Sequence, residues 1–200
     1  MSFHAFYNQN CGDILMARLC DKNTSSFETI GDVTVLKDSK DEIIGFNIDH
    51  ATHHFGKLDD GLVQLSEAFM NSVNHLLTAS GLDAVSYDLE CKFVVGKIIE
   101  FSDHPDSDHL HICLVDLGNE TTQIVCGAQN ARLGLTVVVA TNGAIMPSGM
   151  MIKPSKLRKV DSNGMLCSAR EVKMLNHGFN ETGIIELDDA KYQVGQKFII

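Results

Sequence analysis

Tryptophan is absent from this 200-residue chain, and aromatic residues make up only 6% of it. This scarcity argues against a surface that stacks a series of unpaired bases on aromatic rings. No apolar run approaches the ~18 residues that a membrane helix needs. Near the amino end, Asn8, Gln9, Asn10 and Asp13 interrupt any apolar stretch of the kind found in a signal peptide. We therefore expect a soluble, cytoplasmic protein with no membrane partner.

No two cysteines are spaced as Cys-x-x-Cys, and several lie in apolar runs, which predicts reduced, buried thiols. The six cysteines are Cys11, Cys20, Cys91, Cys113, Cys126 and Cys167. A nucleophilic role for Cys126 has no support, because no sequence pattern pairs it with a base. Neither a P-loop nor a GxGxxG motif occurs. We expect no enzyme activity, no small-molecule substrate and no cofactor.

Charge is unevenly distributed along the chain, whose net charge is −10. Residues 1–90 hold 5 Lys+Arg and 14 Asp+Glu, whereas residues 91–200 hold 11 and 12. Within residues 151–173 six basic residues face only two acidic ones. A local basic patch on an acidic protein can still bind phosphate, because screening limits the reach of distant charges to about 8–10 Å.

Short apolar, β-branched segments predict strands in the first half of the chain. Asp32–Leu36 and Glu42–Ile48 are separated by a short polar segment, which predicts a hairpin. Further strands are expected at Ile14–Leu19 and Phe27–Ile30. This half should therefore contain a sheet.

One helix is predicted from Leu62 to Leu77, where apolar residues recur at intervals of three and four. Asp59 and Asp60 favour its amino end, and Gly81 is placed to end it. Together with the strands, this predicts an α+β N-terminal accessory domain over residues 1–89.

The second half alternates short strands with glycine-containing turns, which suits a small closed barrel without exposed sheet edges. The predicted strands are Phe93–Phe101, Leu110–Leu117, Thr121–Cys126, Leu135–Ala140 and Gly183–Leu187. We place the domain boundary within residues 82–90, which gives a second, all-β domain over residues 90–200.

Four sequence blocks occur in order across the second half: HPDSDHL from His104, QIVCGAQNAR from Gln123, IKPSKLR from Ile152 and SNGMLCSARE from Ser162. Their order and spacing resemble the tRNA-binding domain of the phenylalanyl-tRNA synthetase β chain. With an α+β domain in front, the whole chain looks like the YtpR-type tRNA-binding proteins of bacteria.

The resemblance implies an OB-fold barrel that holds folded tRNA on a basic surface, with no catalysis and no metal. Lysine and arginine would neutralise phosphates, and polar residues would add contacts. The RNA-binding residues expected are Lys153, Lys156, Arg158, Lys159, Arg132, Asn130, Ser162, Met165, Ser168 and Arg170. Some relatives that consist of only this barrel form dimers, so a homodimer is one expectation.

Two departures from the family pattern bear on this expectation. The family commonly has Lys where His109 stands, so a fixed charge is replaced by one that depends on pH. It commonly has Gly where Lys159 stands, so this chain gains a charge, and the bulkier side chain could alter the local turn.

Three other functions stay open at this point. The segment Asp49–His54 and the segment His104–His111 contain residues that bind zinc or manganese in other proteins. The acidic first half could bind a basic protein partner. In either case the barrel could have lost RNA binding. The third is an enzyme: Lys153–Lys156 resembles the KMSKS loop of class I synthetases, but no H-x-G-H motif accompanies it.

Overall fold

The computed structural model describes residues 3–200. The chain divides into two compact units, which we call unit 1 (Met1–Glu90) and unit 2 (Cys91–Ile200). Both units are mostly β. Within the described residues, every helix is too short or too polar to cross a membrane.

Unit 1 is a six-stranded antiparallel sheet in the order β3-β4-β5-β2-β1-β6. The four predicted strands are confirmed as β2 to β5, whereas β1, β6 and α1 were not anticipated. Because residues 3–90 contain only two α-helices, the α+β description holds in part. The elements are β1 (His4–Tyr7), a 3-10 turn (Gln9–Cys11), β2 (Ile14–Arg18), β3 (Ser26–Ile30), β4 (Val33–Lys37), β5 (Ile43–Asp49), α1 (Ala51–Phe55), β6 (Gly61–Leu62) and α2 (Glu67–Ala79).

The predicted start of the long helix is wrong. Helix α2 begins at Glu67, and Leu62 belongs instead to β6, which pairs with β1. Ser66 is the N-cap, because its hydroxyl accepts the backbone N–H of Phe69 at 3.2 Å. Asp60 accepts a backbone N–H from the 3-10 turn at 2.7 Å. The apolar residues before Ser66 thus continue the helical period by coincidence, because they pack as extended chain.

The predicted end of this helix is confirmed. Gly81 has φ +78°. Its N–H donates to Thr78 O at 3.0 Å, and Leu82 N–H donates to Leu77 O at 2.9 Å. This glycine-terminated cap satisfies the last carbonyl groups. Met70, Val73 and Leu77 form the buried face of α2 and pack against the sheet.

Unit 2 is a five-stranded antiparallel sheet in the order β13-β10-β7-β8-β9. It curls into a nearly closed barrel, because Asn163, just before β13, donates its N–H to Gln123 O in β9 at 2.8 Å. The expectation of a small all-β barrel is confirmed. Its elements are β7 (Phe93–Asp103), β8 (His111–Asp116), β9 (Thr121–Cys126), β10 (Thr136–Ala140), the β11–β12 hairpin (Ser155–Leu157 and Val160–Ser162) and β13 (Met165–Leu166).

Strand β7 makes the barrel curve. Its first half pairs with β10 and its second half with β8, with a register shift between Ile98 and Glu100. At Gly96 the two neighbouring strands approach so closely that a Cβ would lie 2.7 Å from Val115 Cγ1 and 2.8 Å from Val139 Cγ2. Only glycine fits at this position without a shift of its neighbours.

Strand β10 is buried on both faces. Val137 and Val139 face the barrel interior, whereas Val138 and Ala140 pack against an outer layer that the last third of the chain supplies. This explains the unbroken apolar run in the sequence.

The strand predicted at Gly183–Leu187 is wrong. β7 pairs with one edge of β10 along Thr136–Ala140, and β13 pairs with the other edge at Val139 and Ala140. The Gly183–Leu187 segment meets β10 at one isolated bridge, between Val137 and Glu186. It also bonds alternately to Cys167 O and Thr136 O, each at 2.8 Å. The fifth barrel strand is instead the two-residue β13.

Candidate nucleic-acid interface

The β11–β12 hairpin carries most of the predicted cations. Its base is fixed to the barrel, because the buried Ser162 hydroxyl accepts Val125 N–H at 3.1 Å and Gln123 Nε2 donates to Asp161 O at 2.7 Å. Ser162 is only 2% exposed. It therefore holds the hairpin in place and is not itself a contact surface.

The turn of this hairpin consists of two exposed basic residues. Arg158 has φ +44° and Lys159 has φ +72°. Both lie in the left-handed region that a type I′ turn requires at its two central positions. A non-glycine residue costs about 1 kcal/mol or more in that region. The turn thus presents two adjacent cations at the expense of backbone strain, a pattern associated with functional sites.

A buried histidine anchors this turn to the β7–β8 loop. His104 is 4% exposed. Its Nδ1 accepts Asp106 N–H at 3.1 Å, and its Nε2 lies 3.1 Å from Leu157 O. Because Nδ1 accepts this N–H, Nε2 carries a proton and donates it to Leu157 O. Arg158 Nη1 also donates to Asp106 O.

Lys156 is an exposed residue of β11. Its cross-strand neighbour is Asp161, and Nζ lies 3.3 Å from Oδ1 of that residue. Both side chains are largely exposed, so this ion pair contributes little to stability and leaves the ammonium accessible. Lys153, which lies just before β11, is also exposed. Four predicted cations therefore lie in or next to one hairpin.

Arg132 and Asn130 bond to a different part of the unit. Arg132 forms a two-pronged ion pair with Glu186, with Nη2–Oε2 at 2.7 Å and Nη1–Oε1 at 3.1 Å. This guanidinium, together with the Asn130 amide, lowers the pKa of Glu186 to about 2. The Asn130 side chain bonds both the N–H and the C=O of Ile184. These residues tie the loop after β9 to the last third of the chain, which the sequence did not indicate.

The remaining predicted residues lie in and after β13. Met165 is partly buried against the outer layer of the core. Ser168 donates its hydroxyl to Glu171 Oε2 at 2.6 Å and accepts the Glu171 N–H, which closes a turn. Arg170 is exposed. Of this group, only Arg170 offers a charge to solvent.

In the two candidate metal clusters, the side chains of His50, His54, His104 and His111 have hydrogen-bonding or ion-pair partners within the protein. His54 Nε2 lies 2.9 Å from Asp32 Oδ2, and His50 Nδ1 lies 3.3 Å from Asp32 Oδ1. Together they lower the pKa of Asp32, mainly through the His54 hydrogen bond. His111 stacks on Phe101. Over residues 3–200, no group of three or more His, Cys, Asp or Glu side chains is arranged to hold a metal ion.

The cysteines of the barrel are buried. Burial raises the pKa of the Cys113 thiol to about 12 and also raises that of Cys126. A buried thiol with a raised pKa carries little thiolate at neutral pH and is a poor nucleophile. Cys126 therefore acts as a small apolar residue of the core.

Comparison with known proteins is consistent with this architecture. Residues 93–197 match the family described as “Putative tRNA binding domain”, and residues 20–86 match a domain of unknown function, DUF4479. The “Putative tRNA-binding protein YtpR” of Bacillus subtilis is 42% identical over 200 residues, a match that covers 98% of each chain.

Phenylalanine–tRNA ligase β subunits match unit 2. The subunit from Sulfurimonas denitrificans is 50% identical over 114 residues, and one from Campylobacter jejuni is 52% identical over 109 residues. Each match covers 14% of the ligase subunit. The resemblance drawn from the sequence is confirmed: the chain belongs to the YtpR family, and its barrel belongs to the tRNA-binding domain family that also occurs in phenylalanine–tRNA ligase β subunits.

Proposed function

We propose that the protein binds folded tRNA through the β11–β12 hairpin of unit 2 and catalyses no reaction. The observation that carries this proposal is the turn at Arg158 and Lys159, where two exposed cations occupy strained backbone positions. Lys153 and Lys156 add charge beside the turn. A phosphate chain passing along the hairpin would meet four cations without any aromatic platform.

Recognition would depend on backbone shape and charge. The anchor at His104 fixes the turn relative to the β7–β8 loop, so the cations are held in one arrangement before RNA arrives. A preorganised site loses less conformational entropy on binding. Aromatic residues are scarce in the chain, which favours contacts with the backbone of folded RNA over contacts with splayed bases.

Arg170 is a candidate for a further phosphate contact. The other predicted residues, Asn130, Arg132, Ser162, Met165 and Ser168, would serve to hold the surface in shape, since their side chains bond or pack within unit 2. On this proposal residues 90–200 are the tRNA-binding domain and residues 1–89 an accessory domain in a cytoplasmic protein. Assembly as a homodimer stays a prediction that sedimentation equilibrium tests.

A matched pair of double variants tests the proposal. Lys156→Ala with Lys159→Ala removes two charges from the hairpin, and Lys191→Ala with Lys197→Ala removes two charges elsewhere in unit 2. At about 1 kcal/mol per phosphate contact, the hairpin variant should bind total tRNA roughly 10- to 30-fold more weakly in a filter-binding assay. The control should bind within about twofold of the unaltered protein.

The salt dependence provides a second measurement. With about four phosphates contacted, log K should fall with log[salt] with a slope of about −3.6, and the hairpin variant should reduce that slope by about 1.8. Equal losses in the hairpin variant and its control would show that the attraction is not localised, and the proposed site would be wrong.

A further inference from the structure

Strand β3 forms an open edge of the unit 1 sheet. It pairs with β4 on one side, and in the described residues no strand lies on the other side. The opposite edge is β6, which is only two residues long. Natural proteins usually blunt a long edge with proline, a bulge or a covering segment. Ser26–Thr29 are all exposed, so β3 lacks a cover.

The register of the β3–β4 hairpin shows which backbone groups of β3 point outward. Ile30 pairs with Val33 across a two-residue turn, and the closing pair of such a hairpin is hydrogen-bonded. Hydrogen-bonded and non-bonded pairs alternate along an antiparallel ladder. Phe27 and Thr29 therefore direct their N–H and C=O groups away from β4. Four backbone groups are available to another strand.

Phe27 provides an apolar anchor at this edge. It is 73% exposed, which makes it the most exposed large apolar residue within residues 3–90. It lies opposite Leu36 and therefore shares the face of the sheet that points away from the core, since the buried Val33 and Val35 alternate with Leu36. An added strand would bring every second side chain onto this face beside Phe27.

Charge at this edge selects the partner. Glu28 is exposed, and the nearest cation, Lys37 Nζ, lies 3.4 Å from both Glu28 and Asp41, so two carboxylates face one ammonium. Residues 1–90 carry a net charge of −9. A second copy in the register that uses both outward residues would place Glu28 opposite its own copy, which is destabilising. A lysine or arginine at that position would instead pair with Glu28.

We propose that β3 binds an extended basic segment of another protein, which adds to the sheet as a further strand. Main-chain hydrogen bonds to Phe27 and Thr29 supply affinity, and the alternating side chains of the segment supply specificity. One set of its side chains packs on Phe27, and the other set, which is basic, faces Glu28. This site lies in unit 1 and needs no RNA. It therefore adds a function to the tRNA binding proposed for the β11–β12 hairpin of unit 2.

The test uses the full chain and a fluorescein-labelled peptide of seven alternating Lys and Val residues, followed by anisotropy. A Glu-Val peptide controls for charge, and a Lys-Pro peptide has the charge but cannot pair as a strand. We expect the Lys-Val peptide to bind at least tenfold more tightly than either control. Absence of Lys-Val binding, or equal binding of the Lys-Pro peptide, would overturn the proposal.

Two pairs of variants locate the binding. Thr29→Pro removes an outward N–H without removing a bond to β4, and Thr29→Ala is its control. Phe27→Ala removes the anchor, and Phe27→Tyr retains it. We expect the first member of each pair to weaken Lys-Val binding at least fivefold and the second to stay within twofold. If Thr29→Pro does not fold, the comparison of Phe27→Ala with Phe27→Tyr tests the proposal. Equal binding of the Lys-Val peptide by these two variants would overturn it.

Two further measurements separate competing outcomes. The binding of tRNA by the Phe27→Ala variant should equal that of the unaltered protein, so failure of this proposal is distinguishable from failure of the hairpin site. Sedimentation equilibrium should give the same mass for Phe27→Ala and the unaltered protein. A dimer that this substitution dissociates would assign the edge to a second copy and overturn the proposal.

Discussion

Replacing Lys159 by glycine should strengthen the fold and weaken RNA binding at the same time. Lys159 has φ +72°, and a left-handed conformation costs an L-residue about 1–2 kcal/mol. Glycine removes that cost but adds about 0.4–1 kcal/mol of conformational entropy to the unfolded chain. The net effect should be a free energy of unfolding about 0.5–1 kcal/mol higher.

Lys159→Ala is the matched control, because alanine keeps the strained backbone and removes the charge. Its free energy of unfolding should stay within about 0.5 kcal/mol of the original. Both variants lose one phosphate contact, so each should bind tRNA about fivefold more weakly. Each should also reduce the slope of log K against log[salt] by about 0.9.

Urea unfolding followed by circular dichroism gives the stabilities, and filter binding at several salt concentrations gives the affinities. A glycine variant less stable than the original would show that the turn is not strained. Unchanged affinity in the alanine variant would show that Lys159 does not contact RNA. A loss of affinity in the glycine variant alone would mean that turn rigidity, not charge, matters at this position.

Three further predictions concern the barrel. Gly96→Ala should lower the free energy of unfolding by about 1–3 kcal/mol in urea, because its Cβ would crowd two valines of neighbouring strands. Glu186→Gln should lower stability at pH 7, because it breaks the ion pair with Arg132. The folded-state pKa of Glu186 lies below its ordinary value of 4.5, at about 2, so its carboxylate stabilises the fold above pH 4.5, and this contribution is lost as the pH falls towards 2. Urea midpoints of the variant and the original should therefore converge between pH 4.5 and pH 2, and a constant difference would contradict the ion-pair explanation. His104→Ala should weaken tRNA binding although it removes no lysine or arginine, because the turn loses its anchor at Leu157 O. An affinity equal to that of the original protein would show that the anchor is dispensable.

Strands that are local apolar segments were predictable from the sequence. Thr121–Cys126 has the same bounds in the prediction and in the structure, and the hairpin of β4 and β5 lies where the polar segment between them indicated. Such segments carry their own signal, because alternating or continuous apolar residues need a buried face. Family membership was also predictable from the sequence, because it depends on motifs that occur in a fixed order along the chain.

Elements that depend on a distant partner were not predictable. Strand β13 has only two residues and exists because β10 offers it a free edge. Gly183–Leu187 has a strong strand pattern yet forms no ladder: β13 pairs with Val139 and Ala140 of β10, and this segment makes one bridge, between Val137 and Glu186. Leu62 fits a helical period but pairs with β1, more than fifty residues earlier. In each case a long-range contact overrides the local preference.

The same division applies to the candidate site. The sequence by itself determined which residues are basic and that four of them cluster between residues 153 and 159. Only the tertiary structure decided that Arg132 is paired with Glu186, that Ser162 is buried and that His104 anchors the turn. The physical reason is that residue type fixes charge and hydrogen-bonding capacity, whereas exposure and pairing depend on residues that folding brings from 50 or more positions away.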